Sequence, residues 1–244
     1  RTGSTKTRVK RWQPSRGTDV ATMPSIDAAA AVVIAYLTGS IPTAYLVGKY
    51  IGDADLTEVG SKNIGASNAY SQLGSRWAGF VVIIDVFIKG SIPVFIASDT
   101  VLGLGLSTQL AVGIASVIGH DWSVFLKFRG GRGIATTEGA IIVLSLPLAF
   151  AYPVLPALAV LVSPWKDSAV WWLIATLAVP MWVLLLGLPN EIIWFSIALI
   201  ILTLLKRMTS NSLRGADGTI SATLLWNRLV FDRDIKNRSE WVGQ

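Results

Sequence analysis

Long apolar runs separated by short polar ones divide this chain. They predict transmembrane helices over Ala28 to Tyr50, Trp77 to Ala97, Ser107 to Gly119, Ile134 to Phe150, Tyr152 to Ser163, Val170 to Leu188 and Ile192 to Leu205. The fold class that follows is all-α, a polytopic membrane protein of about seven transmembrane helices, some short or re-entrant. Crossing a bilayer untilted takes roughly 20 residues. The stretch from Ile134 to Ser163, interrupted by little more than Pro147 and Pro153, is therefore either two spans or a re-entrant, partly broken element that lowers the count to about five or six. In the first span Gly39-Ser40-Ile41-Pro42 predicts a kink, because proline cannot donate to the helix ladder and frees a carbonyl. The apolar block divides the chain into a polar basic tail at residues 1–27, a transmembrane domain at 28–206 and a basic cytoplasmic tail at 207–244. Met23, just ahead of the first run, is an alternative start. Trp226, Leu229, Val230 and Phe231 form a small apolar cluster among cations, read either as a helix on the anionic inner leaflet or as an unstructured basic tail.

Composition sharpens this picture. At 52% hydrophobic and 15% charged residues the chain is too apolar for an ordinary soluble domain. The formal charge of +6 does not indicate nucleic acid, since its Lys and Arg fall mostly in short loops between spans. With the amino terminus outside and the carboxy terminus inside, the inner loops hold Lys49, Lys62 and Arg76, then Lys127, Arg129 and Arg132, then Lys166, then the tail from Lys206. The outer loops around Asp99, Ala151 and Pro189 hold no Lys or Arg, as the positive-inside rule requires. The cations of the amino-terminal tail oppose that orientation. The expected location is the inner (plasma) membrane, with membrane lipid as an obligatory partner. The chain has no cysteine and one histidine, which excludes disulfides, thiolate metal sites and a His-rich centre; neither metal nor cofactor is expected.

Three polar segments fall on the inner side. The segment Gly60-Ser61-Lys62-Asn63-Ile64-Gly65-Ala66-Ser67-Asn68 offers close backbone approach with hydroxyl and amide groups, suited to a polyhydroxy or phosphorylated ligand, or equally to an interfacial turn with helix caps. From Gly119 to Thr136 the chain joins glycines, cations and His120. Gly130, Gly131 and Gly133 would cradle an anion, Lys127, Arg129 and Arg132 would neutralise it, and a helix starting at Ile134 would add its positive end. A topogenic basic loop is the alternative. His120 is read as a base or hydrogen-bond donor, or as a packed interfacial residue. The third segment, Lys206 to Arg214, reads on its own as a stop-transfer cluster. Within the second span, Asp85 and Lys89 stand four apart and can pair on one helix face, for structure or at the rim of a site; Glu138 raises the same question.

Together these segments resemble the bacterial membrane glycerol-3-phosphate acyltransferases of the PlsY type, which use acyl phosphate rather than an acyl thioester. The likeness runs from about Ala28 to Thr219 and rests on Gly39 to Pro42, Gly60 to Asn68, Asp85 with Lys89-Gly90, the whole of Gly119 to Thr136 and, weakly, on Arg207, Asn211, Arg214 and Gly218-Thr219. It implies a seven-helix fold with a site at the cytoplasmic face, where the primary hydroxyl of glycerol 3-phosphate attacks the acyl carbonyl, phosphate leaves and lysophosphatidic acid forms. It implies Ser61, Lys127, Arg132 and Asn211 as catalytic residues, and Asn63, Asn68, His120, Arg129, Gly130, Gly131 and Gly133 as substrate-binding ones.

The sequence departs from the family at several functional positions. Ser71 and Thr57 stand where the family has arginines, Lys62 where it has glycine, Met208 where it has a functional histidine and Ile220 where it has an acid. The Asp85-to-Lys89 spacing is one residue longer than in the family. Two functions therefore compete: an acyltransferase with a remodelled acceptor end, and a noncatalytic descendant that binds lipid or phosphate as an accessory subunit beside other membrane subunits.

Overall fold

The computed structural model describes residues 25–164, 167–210, 219–237 and 240–241. Among these the architecture is all-helical, with one isolated bridge between Ser123 and Arg129. Helix α1 (Ile26–Ser40) starts where the Ser25 hydroxyl accepts the Ala28 N–H, with Asp27 in the first turn against the positive helix end. It stops at Ile41-Pro42, and α2 (Thr43–Ile51) continues the same span beyond the expected break. A loop leads to α3 (Ala66–Leu73).

The next span is compound: α4 (Ser75–Ile83), a π-helical segment (Ile84–Ser91) and α5 (Ile92–Ala97). Pro93 cannot donate to the Lys89 carbonyl four residues back. The Ser116 hydroxyl supplies the missing donor at 2.5 Å. Within the π-helical segment Lys89 Nζ lies 2.6 Å from Asp85 Oδ1, so the pair expected from spacing forms, through charge proximity rather than an aligned hydrogen bond.

The short third run becomes α6 (Gly105–Asp121), the most central helix, which is why it tolerates Gln109, Ser116, His120 and Asp121: all four are buried in protein rather than lipid. It crosses α1 at backbone distance. A Cβ on Gly39 would strike the Ser116 carbonyl, and one on Gly119 the Tyr36 carbonyl. Small residues at a crossing let helices approach where lipid gives no hydrophobic drive for association.

Beyond the loop lie α7 (Ile134–Leu144), α8 (Leu146–Ala151), α9 (Val154–Val162), α10 (Ser168–Leu185), α11 (Glu191–Thr209) and α12 (Ala222–Phe231). One boundary is added. The expected break is present between α8 and α9, and a second falls ahead of it at Ser145, because Ser145 caps α8 through Leu148 N–H and Pro147 suits a first helical turn. Among the described residues, four helical stretches are long and apolar enough to cross a membrane: Ile26–Ile51, Ser75–Ala97, Ser168–Leu185 and Glu191–Thr209. The remaining apolar helices are shorter. Large side chains such as Ile83, Phe87, Phe95, Leu184, Leu185, Trp194 and Ile201 face outward, the surface an integral membrane protein gives to lipid.

Candidate active site

The loop between α6 and α7 is built onto the end of α1. Where α1 stops, its Ser40 carbonyl lacks a helical partner, and the Ser123 hydroxyl donates to it at 2.5 Å. Tyr36 OH reaches the Trp122 carbonyl at 3.0 Å. The chain then turns tightly through Lys127 and Phe128, both left-handed, and returns so that Ser123 N–H meets the Arg129 carbonyl. Gly130 and Gly131 lie against the end of α6. A Cβ on Gly130 would meet the His120 and Asp121 carbonyls, and one on Gly131 the His120 ring. Gly131 N–H is already spent on the His120 carbonyl at 3.0 Å. The glycines thus make the loop compact, while Gly133, at φ 69°, turns the chain into α7.

This turn brings the amino-terminal end of α7 to a cavity of about 390 Å³. Of the residues singled out from sequence, Ser61, Asn63, His120, Arg132 and Gly133 line it together. Among the described residues Asn63 Oδ1 is buried there without a hydrogen-bond partner, and no side chain caps α7. His120 is both packed and cavity-lining, with Nδ1 3.8 Å from Asp85 Oδ2. Asp85 and Glu138 also border the cavity, so the Asp85–Lys89 pair stands at its wall.

Other expected residues sit elsewhere. Asn68 is buried behind the cavity as a loop staple: its amide N–H groups reach the carbonyls of Leu56 and Val59, and its Oδ1 accepts Ser61 N–H. Lys127 and Arg129 are exposed, with Arg129 3.9 Å from Glu58. Gly130 and Gly131 face α6 rather than the cavity. Asn211 lies outside the described residues. Ser71 reaches the cavity, whereas Met208 and Ile220 do not line it. In the first loop, Thr57 donates its hydroxyl to Asp55 at 2.7 Å, and that bond, followed by the Thr57 backbone N–H, holds the Asp55 carboxyl below the usual range. Lys62 adopts φ 56°, a left-handed backbone that glycine takes with less strain.

Sequence reading missed the cavity wall formed by the carboxy-terminal segment. Phe231, Asp232 and Arg233 line the cavity from the end of α12, beside Asp167 at the start of α10. Arg233 pairs with Asp167 at 2.6 Å, and Arg132 Nε meets Asp232 Oδ2 at 2.5 Å while its Nη1 contacts the Ser210 hydroxyl. Nor is the Lys206–Arg207 pair a solvated stop-transfer cluster. Lys206 donates to the Asp121 carbonyl, and Arg207 donates to the carbonyls of Leu229, Val230 and Ala169, so both are buried. Arg207 thereby clamps the end of α12, whose last carbonyls have no helical partner, onto α10. Helix α12 is accordingly packed on the protein, with Arg228 fully buried against Asp234 and only Trp226 among its large apolar side chains strongly exposed. The apolar cluster was visible in sequence; its partners were not.

The helices and the cavity at the mouth of α7, lined by apolar side chains with arginines and carboxylates among them, fit the class of integral membrane enzymes. The family model described as glycerol-3-phosphate acyltransferase matches residues 29–218, and the chain belongs to that family. It is 33% identical over 220 residues to glycerol-3-phosphate acyltransferase 5 of Dehalococcoides mccartyi, covering 87% of this chain and 91% of that one. Against glycerol-3-phosphate acyltransferase of Endomicrobium trichonymphae it is 35% identical over 182 residues, 73% of this chain and 87% of the relative. Among solved structures it is similar to PlsY, an integral membrane glycerol 3-phosphate acyltransferase, in its glycerol 3-phosphate form, with TM-score 0.67, 30% identity and coverage of 74% and 88%. The lysophosphatidic acid form gives the same TM-score at 25% identity, with coverage of 89% of this chain and 100% of that chain.

Proposed function

We propose that this protein transfers an acyl group from acyl phosphate to the 1-hydroxyl of glycerol 3-phosphate, giving lysophosphatidic acid for phospholipid synthesis. The observation that carries this reading is the convergence of Arg132, the uncapped first turn of α7 and the unpartnered Asn63 oxygen on one cavity. Arg132 and the α7 N–H groups offset the phosphate charge; Asn63 and Ser61 orient hydroxyls of the acceptor. The acceptor oxygen bonds to the acyl carbon, the bond to the phosphate oxygen breaks, and inorganic phosphate departs with the electron pair while the hydroxyl proton passes to an acceptor in the site. An acyl phosphate is already activated, so holding two anionic substrates in register supplies much of the rate. Lys127 and Arg129, exposed at the loop tip, would draw anionic substrate toward the cavity mouth rather than touch it.

The noncatalytic accessory-subunit alternative is not favoured by these comparisons. The test is the purified full chain in lipid vesicles with acyl phosphate and glycerol 3-phosphate, following lysophosphatidic acid and released phosphate. Equimolar formation of both is expected; product with an acyl thioester but not with acyl phosphate would overturn the donor assignment.

The same reading places about seven spans in the bilayer, with the amino terminus outside and the cavity on the cytoplasmic side. The chain has no cysteine, so single cysteines report sidedness cleanly. A cysteine at position 127 should react from the cytoplasmic side and one at position 99 from the opposite side; equal labelling of both from one side would refute this orientation.

A further inference from the structure

The cavity is occupied on one side by the protein's own anion. Arg132 stands next to Gly133, at the entrance to α7, where a bound phosphate would find both a guanidinium and free helical N–H groups. In the structure its Nε instead faces Asp232 Oδ2 at 2.5 Å, and its Nη1 faces the Ser210 hydroxyl. Asp232 is the left-handed residue that ends α12, at φ 57°, and comes from the segment that follows the family-matched residues 29–218. Its placement is specified twice over, by Arg207 at the Leu229 and Val230 carbonyls and by Arg233 on Asp167. The pair itself is single-pronged. Among the described residues Asp232 Oδ1 is buried with no hydrogen-bond partner, so the carboxylate meets the guanidinium through one oxygen.

We propose that Asp232 is a positioning residue of the phosphate site: its carboxylate holds the Arg132 guanidinium at the mouth of α7 and is displaced by the substrate phosphate. This rests on the acyltransferase reading above and adds the residue with which substrate must compete. A phosphate can use the Arg132 fork and the α7 N–H groups together, whereas a lone carboxylate oxygen uses one edge of the fork. The exchange therefore favours phosphate in contacts and charge. It also keeps Arg132 neutralised and oriented while the site awaits substrate, at the expense of a weaker apparent affinity.

The experiment compares the full-length protein with Asp232→Asn and Asp232→Glu in lipid vesicles. Two readouts are taken: KM and kcat for glycerol 3-phosphate, and the rise in unfolding temperature with increasing inorganic phosphate, which needs no turnover. Removing the competing charge should lower both KM and the half-saturating phosphate concentration by about tenfold or more, the scale of one charged hydrogen bond. Asp232→Glu, which keeps a carboxylate, should restore both toward the wild-type values. If Asp232 only braces the fold, Asp232→Asn lowers the unfolding temperature and kcat and leaves KM and phosphate affinity unchanged, and the proposal fails. Should Asp232→Asn not fold, Asp232→Ser takes its place with the same expectation. An absence of turnover in every protein, together with a phosphate affinity that Asp232→Asn tightens, would overturn the acyltransferase reading and leave Asp232 as the competing anion. Normal turnover with both constants unmoved would do the reverse.

Discussion

The loop joining α6 to α7 and the segment following α11 both deliver arginines to one cavity, by opposite routes. The loop is local: its glycines pack on the carbonyls of His120 and Asp121 a few residues back, and Arg132 emerges directly ahead of the helix it serves. The carboxy-terminal wall is assembled from a distance, with Arg207 clamping α12 to α10 and Arg233 reaching Asp167 across 66 residues of sequence. Similar residue types thus do different things. In the loop, Lys127 and Arg129 face solvent and Arg132 meets one carboxylate oxygen and one hydroxyl at the cavity; in and behind the wall, Arg233 and Arg207 are engaged by several backbone carbonyls and a carboxylate. A cation's availability to substrate depends on which carbonyls and carboxylates reach it first.

The largest test of this contrast is Arg132→Ala, which should reduce kcat/KM by about 100-fold or more if Arg132 is the arginine left to meet the transferring phosphate. Activity within twofold of wild type would shift the phosphate site elsewhere. Next comes Arg207→Leu, which abandons three buried carbonyls and should cost about 2–4 kcal/mol of stability, with faster proteolysis within residues 219–237 as the local sign. A solvated stop-transfer arginine would give neither change. Gly131→Val drives a side chain into the His120 ring and should lower stability by about 1–3 kcal/mol through overpacking, read as a lower unfolding temperature in detergent.

Two smaller effects probe the first loop. Lys62→Gly relieves a left-handed strain of about 1–2 kcal/mol against a glycine entropy cost of about 0.5–1 kcal/mol, so a modest stabilisation is expected. Asp55, whose carboxyl is held low by Thr57, contributes stability that is present above the ordinary carboxylate range and lost as pH falls through its folded value. Thr57→Val should flatten that acid limb of the unfolding curve. An unchanged acid limb would show that the Thr57–Asp55 bond does not couple to folding.

Much of this was legible in the chain. The kink at Pro42 follows from a missing N–H, the start of α7 at Ile134 from the glycine ahead of it, and the Asp85–Lys89 pair from a spacing of four. Ser61, Asn63, His120, Arg132 and Gly133 were selected as site residues and converge on the cavity. Asn68 was selected too, but its amide is spent on Leu56 and Val59, a use that depends on how the loop folds over it. Ser145 adds a break ahead of the expected one between α8 and α9 because its hydroxyl caps α8, a choice made among several prolines and small residues that look alike in sequence.

The sequence by itself determined a helical membrane protein of this family and the loop whose glycines and arginine form the mouth of α7. Those features rest on apolar run length, missing donors and residues adjacent along the chain. Tertiary structure alone decided which polar groups remain available: Lys206, Arg207 and Arg233 are bound to partners far away in sequence, and Asp232 is set on Arg132. The physical reason is that a buried charge must be satisfied by whatever backbone or carboxylate the fold places within about 3 Å of it, and no local spacing records that neighbour.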